Sequence, residues 1–112
     1  MAEDMARANE VENLTPEQVA AGLRARRMLL VDVRESNETS VESYPDAVIV
    51  PLSCFDPAAI PDPQGKQVVF ACRSGRRSVT ASLAAQDQGY PYKSHLAGGI
   101  LAWKAAGLPT KS

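Results

Sequence analysis

The stretch Gln67-Val68-Val69-Phe70-Ala71-Cys72-Arg73-Ser74-Gly75-Arg76-Arg77-Ser78 decides how this chain is read. Val68 to Ala71 form an apolar run without strict alternation, which suits a strand covered on both faces of a parallel sheet. Arg77 to Gln88 has helical spacing: Val79, Leu83 and Ala84 share one side, and Gly89 stands where a helix would stop. A strand, a short loop and a helix therefore follow one another. In open α/β sheets ligands bind beyond the carboxyl ends of strands, so the loop that starts at Cys72 is the first place to look for chemistry.

Working outward, Met28-Leu29-Leu30-Val31-Asp32-Val33 and Ala47-Val48-Ile49-Val50 have the same strand character. Thr15-Pro16-Glu17-Gln18 reads as a helix start, with Thr15 as N-cap, Pro16 in the first turn and Gln18 closing a capping box. Val11 and Leu14 suit a short first strand, and Tyr92 to Leu96 a short last one. Gly98-Gly99 reads as a turn before a closing helix, Ile100 to Ala106, which Gly107 and Pro109 end. Pro57, Pro61, Pro63 and Gly65 mark a connecting loop with one helical turn. Alternating strands and helices predict an α/β fold with a mainly parallel sheet and right-handed crossovers.

The chain has 112 residues, which points to one domain, expected over residues 9–112 after a flexible tail at 1–8. With 45% hydrophobic and 22% charged residues it has the composition of a globular domain. A net charge of -1 provides no field to attract nucleic acid or an anionic membrane, and no apolar run is long enough to cross a bilayer. Acids at Glu3 and Asp4 do not fit a signal peptide, so the expected location is cytoplasmic, with Cys54 and Cys72 as thiols and a monomeric chain.

A thiol between a strand and a helix N-terminus sees the positive end of the helix dipole, which favours thiolate. Backbone N–H groups of a short loop around that sulfur form an anion-binding nest. Arg73, Arg76 and Arg77 add three positive charges, with no acid between Cys72 and Gln86. Arginines in a first helical turn oppose the dipole, an unusual concentration for a purely structural turn. The pattern points to an activated cysteine that meets a small anion.

With these residues the chain resembles the rhodanese-like sulfurtransferase family. The resemblance rests on Leu30-Val31-Asp32-Val33-Arg34-Glu35, on Pro45 and Ala47 leading to Pro51-Leu52, on Val69 to Ser78, and on Gly98-Gly99-Ile100-Leu101-Ala102-Trp103, in that order. It implies a five-stranded, mainly parallel sheet flanked by helices on both faces. It also implies a Cys72 nucleophile that takes sulfane sulfur from thiosulfate or a persulfide and passes it to cyanide, a thiol or a protein. The amides of Arg73, Ser74, Gly75, Arg76, Arg77 and Ser78 would hold the persulfide, and the Arg73 and Arg77 side chains the anionic donor. No metal or organic cofactor is required. The alternatives are a carrier or docking module without turnover and, further off, a cysteine phosphatase or arsenate reductase. Cysteine phosphatases place five residues between Cys and Arg; here that position is Ser78, and Arg77 falls one place early. Where the family often reads His-Ile-Pro-Gly-Ala, this chain has Ser43-Tyr44-Pro45-Asp46-Ala47, and Asp46 is expected to take the left-handed conformation in place of Gly.

The remaining polar residues have plainer expectations. Asp32 and Arg34 are expected to brace one another. Cys54, beside Leu52 and Phe55, is expected to be a packed small residue. His95, the sole histidine, is expected at the surface or a strand end, the alternative being a proton donor near Cys72 that the chemistry does not need, and Trp103 is expected in the core.

Overall fold

Strand and helix alternate as the sequence requires. The computed structural model describes residues 10–112, so the tail expected at 1–8 lies outside the described residues. The strands are β1 (Glu12–Leu14), β2 (Met28–Asp32), β3 (Val48–Ile49), β4 (Gln67–Ala71) and β5 (Ser94–Leu96). The helices are α1 (Pro16–Arg24), α2 (Ser36–Thr39), α3 (Arg77–Asp87) and α4 (Gly99–Ala105). Two single-turn 3-10 segments, Leu52–Cys54 and Pro57–Ala59, replace the one helical turn expected between β3 and β4. All strand pairs are parallel, in the order β1-β5-β4-β2-β3.

The α1 start is the capping box read from the sequence: Gln18 N–H donates to Thr15 Oγ1 at 3.1 Å, and Thr15 N–H to Gln18 Oε1 at 2.9 Å. Alternation along β2 and β4 then divides the core in two. Leu30, Val69 and Ala71 face Val19, Ala20, Ile100 and Trp103 of α1 and α4. Val31, Val68 and Phe70 face Ala81 and Ala85 of α3 on the opposite side. Helices therefore cover both faces.

The inner face of α3 differs from expectation. Val79, Leu83 and Ala84 are only half-buried, and the buried residues are Ser78, Ala81, Ser82 and Ala85. Size decides here rather than hydrophobicity. A small-residue face lets the helix approach the sheet closely, and its serines stay satisfied, with Ser82 Oγ donating to the Tyr92 carbonyl at 2.8 Å.

Candidate active site

β4 ends at Ala71, and the chain turns through Cys72 to Arg76 before α3 begins. The Cys72 carbonyl is held from two directions, by the Tyr44 hydroxyl at 2.7 Å and by Ile100 N–H at 2.9 Å. Tyr44 is itself buried, its ring edge-on to Trp103 at 5.6 Å. The turn into this tyrosine keeps its shape without glycine, because Asp46 takes φ 61° as expected. Gly98 and Gly99 do more than turn the chain. A Cβ on Gly99 would sit 2.6 Å from the Cys72 carbonyl oxygen, and one on Gly75 would sit 2.8 Å from Gly98 N, so the loop and the start of α4 touch backbone to backbone.

Cys72 is fully buried. Its sulfur accepts a hydrogen bond from Gly75 N–H at 3.1 Å and lies 3.5 Å from Ser78 Oγ. Burial pushes the thiol pKa up, but the Ser78 hydroxyl and the N–H groups of Ser78, Gly75 and Ser74 together outweigh it, leaving Cys72 below the ordinary thiol range. Gly75, at φ 96°, supplies the backbone angle that turns its N–H onto the sulfur.

The loop arginines divide. Arg77 lies in a fork-to-fork pair with Glu38, at 2.6 and 2.8 Å, so its guanidinium is committed to a carboxylate, while its backbone opens α3. That pairing holds the Glu38 carboxyl down to about 2 and raises Arg77. Arg73 and Arg76 are exposed and enter no ion pair among the described residues. Asp32 and Arg34 brace one another as expected: Arg34 Nη2 lies 2.9 Å from Asp32 Oδ2, both residues are buried, and the same nitrogen reaches the Glu42 carbonyl at 2.9 Å.

Two expectations fail. Cys54 is exposed rather than packed, because the 3-10 turn Leu52–Cys54 leaves its side chain outside the sheet layers. His95 is not a surface residue: it is 3% exposed in β5, with Nδ1 at 2.8 Å from Ser78 Oγ and Nε2 at 2.6 Å from Asn13 Oδ1. The sequence carries one faint signal for this. His95 sits in the middle of a short strand, where a polar residue must find buried partners. Among the described residues no cluster of His, Cys, Asp or Glu is suited to hold a metal ion, and no helix is long and apolar enough to cross a membrane.

The family profile described as Rhodanese-like domain matches residues 15–106. The chain belongs to the rhodanese-like family. A protein named Sulfurtransferase from Allochromatium vinosum is 39% identical over 82 residues, covering 73% of this chain and 77% of that one. An uncharacterized protein of Synechocystis is 45% identical over 83 residues, which are 74% of this chain but only 46% of the Synechocystis protein. Among solved structures, a Rhodopseudomonas palustris protein of unknown function, described as a possible tyrosine phosphatase, superposes with a TM-score of 0.76 at 30% identity. It covers 96% of this chain and 89% of its own. The five-stranded parallel sheet with its flanking helices is the rhodanese-like fold.

Proposed function

We propose that this rhodanese-like domain is a sulfurtransferase that moves sulfane sulfur from thiosulfate or a persulfide donor to a nucleophilic acceptor through a Cys72 persulfide. The observation that carries this reading is the set of donors on one sulfur. Gly75 N–H lies 3.1 Å from Cys72 Sγ, the N–H groups of Ser74 and Ser78 favour the anion, and the loop contains no acid. The thiolate attacks the outer sulfur of thiosulfate. A bond forms between the two sulfurs, the bond from that outer sulfur to the sulfonate breaks, and sulfite leaves with the electron pair. The persulfide carries the negative charge, and the loop N–H groups hold it. Cyanide, a thiol or a protein acceptor then attacks the terminal sulfur and regenerates the Cys72 thiolate. Exposed Arg73 and Arg76 suit the sulfonate of the donor, and full burial of Cys72 favours a donor whose transferable sulfur projects from a small group.

The pairing of Arg77 with Glu38 weighs against phosphate-ester hydrolysis. A phosphatase needs the arginine that closes its loop free to grip phosphate, and here that guanidinium is held by a carboxylate. Intact-mass spectrometry after brief exposure to thiosulfate tests the reading. One added sulfur on the parent chain, absent from Cys72→Ser and removed by cyanide as thiocyanate appears, is the expected result. An unmodified parent chain would sink thiosulfate as the donor.

A further inference from the structure

Behind the nucleophile a chain of polar side chains crosses the sheet to its edge. Cys72 Sγ lies 3.5 Å from Ser78 Oγ, Ser78 Oγ lies 2.8 Å from His95 Nδ1, and His95 Nε2 lies 2.6 Å from Asn13 Oδ1. Cys72, Ser78 and His95 are all buried, and α3, β5 and β1 each supply one link beyond the cysteine. The direction of each bond follows by elimination. An amide oxygen only accepts, so Nε2 carries a hydrogen and donates to Asn13. A neutral ring then has its lone pair at Nδ1, which accepts the Ser78 hydroxyl hydrogen. Ser78 Oγ, its hydrogen used, accepts from the Cys72 thiol.

Every group in that neutral chain is satisfied. Loss of the thiol proton to solvent breaks the pattern: if the Ser78 hydroxyl turns to the thiolate, Nδ1 is left buried with no donor, and if it does not, the thiolate faces an oxygen lone pair. One thiolate state keeps every bond and reverses two of them, because the proton stays within the chain.

We propose that His95 is the internal proton acceptor for Cys72, working through the Ser78 hydroxyl, so that near neutral pH the pair rests as thiolate and imidazolium. This rests on the reading of Cys72 as the nucleophile. In the transfer, the S–H bond breaks as its proton binds Ser78 Oγ, and the original Ser78 O–H bond breaks as its proton binds Nδ1. One proton moves from sulfur to nitrogen and no electrons change hands. Ser78 then donates to the thiolate, Nδ1–H donates to Ser78, and Nε2–H still donates to Asn13. Attack on thiosulfate replaces one anion, the thiolate, with another, the persulfide, so the imidazolium stays protonated throughout.

Among the described residues, the groups bonded to His95 or in register with it include no charged side chain: they are Asn13 in β1, Phe70 in β4 and Ser78 of α3. Burial holds the ring below the ordinary histidine range, so an imidazolium alone is disfavoured there. A buried thiolate one hydroxyl away offsets that penalty, and the two groups titrate as a coupled pair. Asn13 acts as a positioning residue that fixes the tautomer.

Because the chain has one histidine, ¹⁵N-histidine labelling reports this ring alone. The measurement is the ring ¹⁵N shifts, together with thiolate absorbance in the ultraviolet, at about pH 7 on the full chain and on Cys72→Ala. The expected result is a doubly protonated ring with a thiolate in the parent, and a neutral Nε2–H ring in Cys72→Ala. A neutral ring in the parent at that pH overturns the proposal, whatever the state of the sulfur. So does a ring that titrates identically in the two proteins. Alkylation of Cys72 by iodoacetamide gives a second reading: Ser78→Ala is expected to slow it about tenfold, equivalent to one pKa unit, and Ser78→Thr to restore it. A full rate in Ser78→Ala would remove the serine from the path. Sulfur loading by mass spectrometry separates the two proposals. Loading with a neutral ring leaves the sulfurtransferase reading standing without the relay, and a protonated ring without loading by any sulfane donor does the reverse.

Discussion

β2 and β4 lie side by side, with Asp32 in register with Ala71, and both run into a polar turn at the same end of the sheet. The two turns use charge in opposite ways. After β2, Asp32 and Arg34 satisfy one another: both carboxylate oxygens and the guanidinium Nε and Nη2 are engaged, and the rest of Nη2 goes to the Glu42 carbonyl. After β4, several donors converge on one sulfur, while Arg73 and Arg76 are exposed and meet no acid among the described residues. Equal polarity therefore does not mean equal role. A closed pair fixes architecture, whereas an unmatched set of donors is available to an anion, as the proposed function requires.

The largest effect separates these two turns outright. Cys72→Ser is expected to abolish sulfur loading while the far-ultraviolet circular dichroism stays that of the parent. Arg34→Met should do the converse, leaving Asp32 buried without its cation. A loss of about 3 kcal/mol in urea unfolding is expected, because an uncompensated buried charge is costly. If Arg34→Met unfolds at the parent midpoint, the pair does not brace the sheet end.

Tyr44→Phe sits between the two turns and should cost about 1 kcal/mol, since the Cys72 carbonyl keeps its bond from Ile100 N–H. A loss of loading beyond what that destabilisation explains would make the hydroxyl part of the chemistry.

Glu38→Gln sharpens the comparison through pH. The Glu38 carboxyl, held at about 2 chiefly by Arg77, binds its proton more weakly folded than unfolded. Its contribution to stability is therefore complete above the ordinary carboxylate pKa of about 4.3, and fades as pH falls toward about 2. The stability gap between parent and variant should be constant near neutrality and shrink in that acid window. A gap independent of pH would rule out the ion pair as its source. Smallest of all is Cys54→Ser: the side chain is exposed, and neither loading nor unfolding should move.

What the sequence revealed depended on distance along it. The Thr15–Gln18 capping box spans three residues, and the chain from Cys72 to Ser78 is one continuous turn, so local chemistry exposed both. His95 meets Ser78 across 17 positions and Asn13 across 82, and nothing local marks such contacts. The α3 face is hidden from the sequence for another reason. Hydrophobic spacing favoured Val79 and Leu83, but close approach to the sheet selected Ala81 and Ala85 instead. Cys54 is exposed despite its apolar neighbours in sequence, because adjacency along a 3-10 turn does not carry a side chain into the core.

The strand order carries a consequence for how the molecule is made. Among the described residues, β1 has a single neighbour in the sheet, β5. β1 must therefore wait for a strand distant in sequence before it can pair, a long loop closure that slows completion of the fold. His95 and Asn13 meet across 82 positions, so their hydrogen bond forms only when β1 and β5 come together. The donors on the Cys72 sulfur lie within seven consecutive residues, whereas the proposed path through His95 to Asn13 is complete only once β5 has paired with β1.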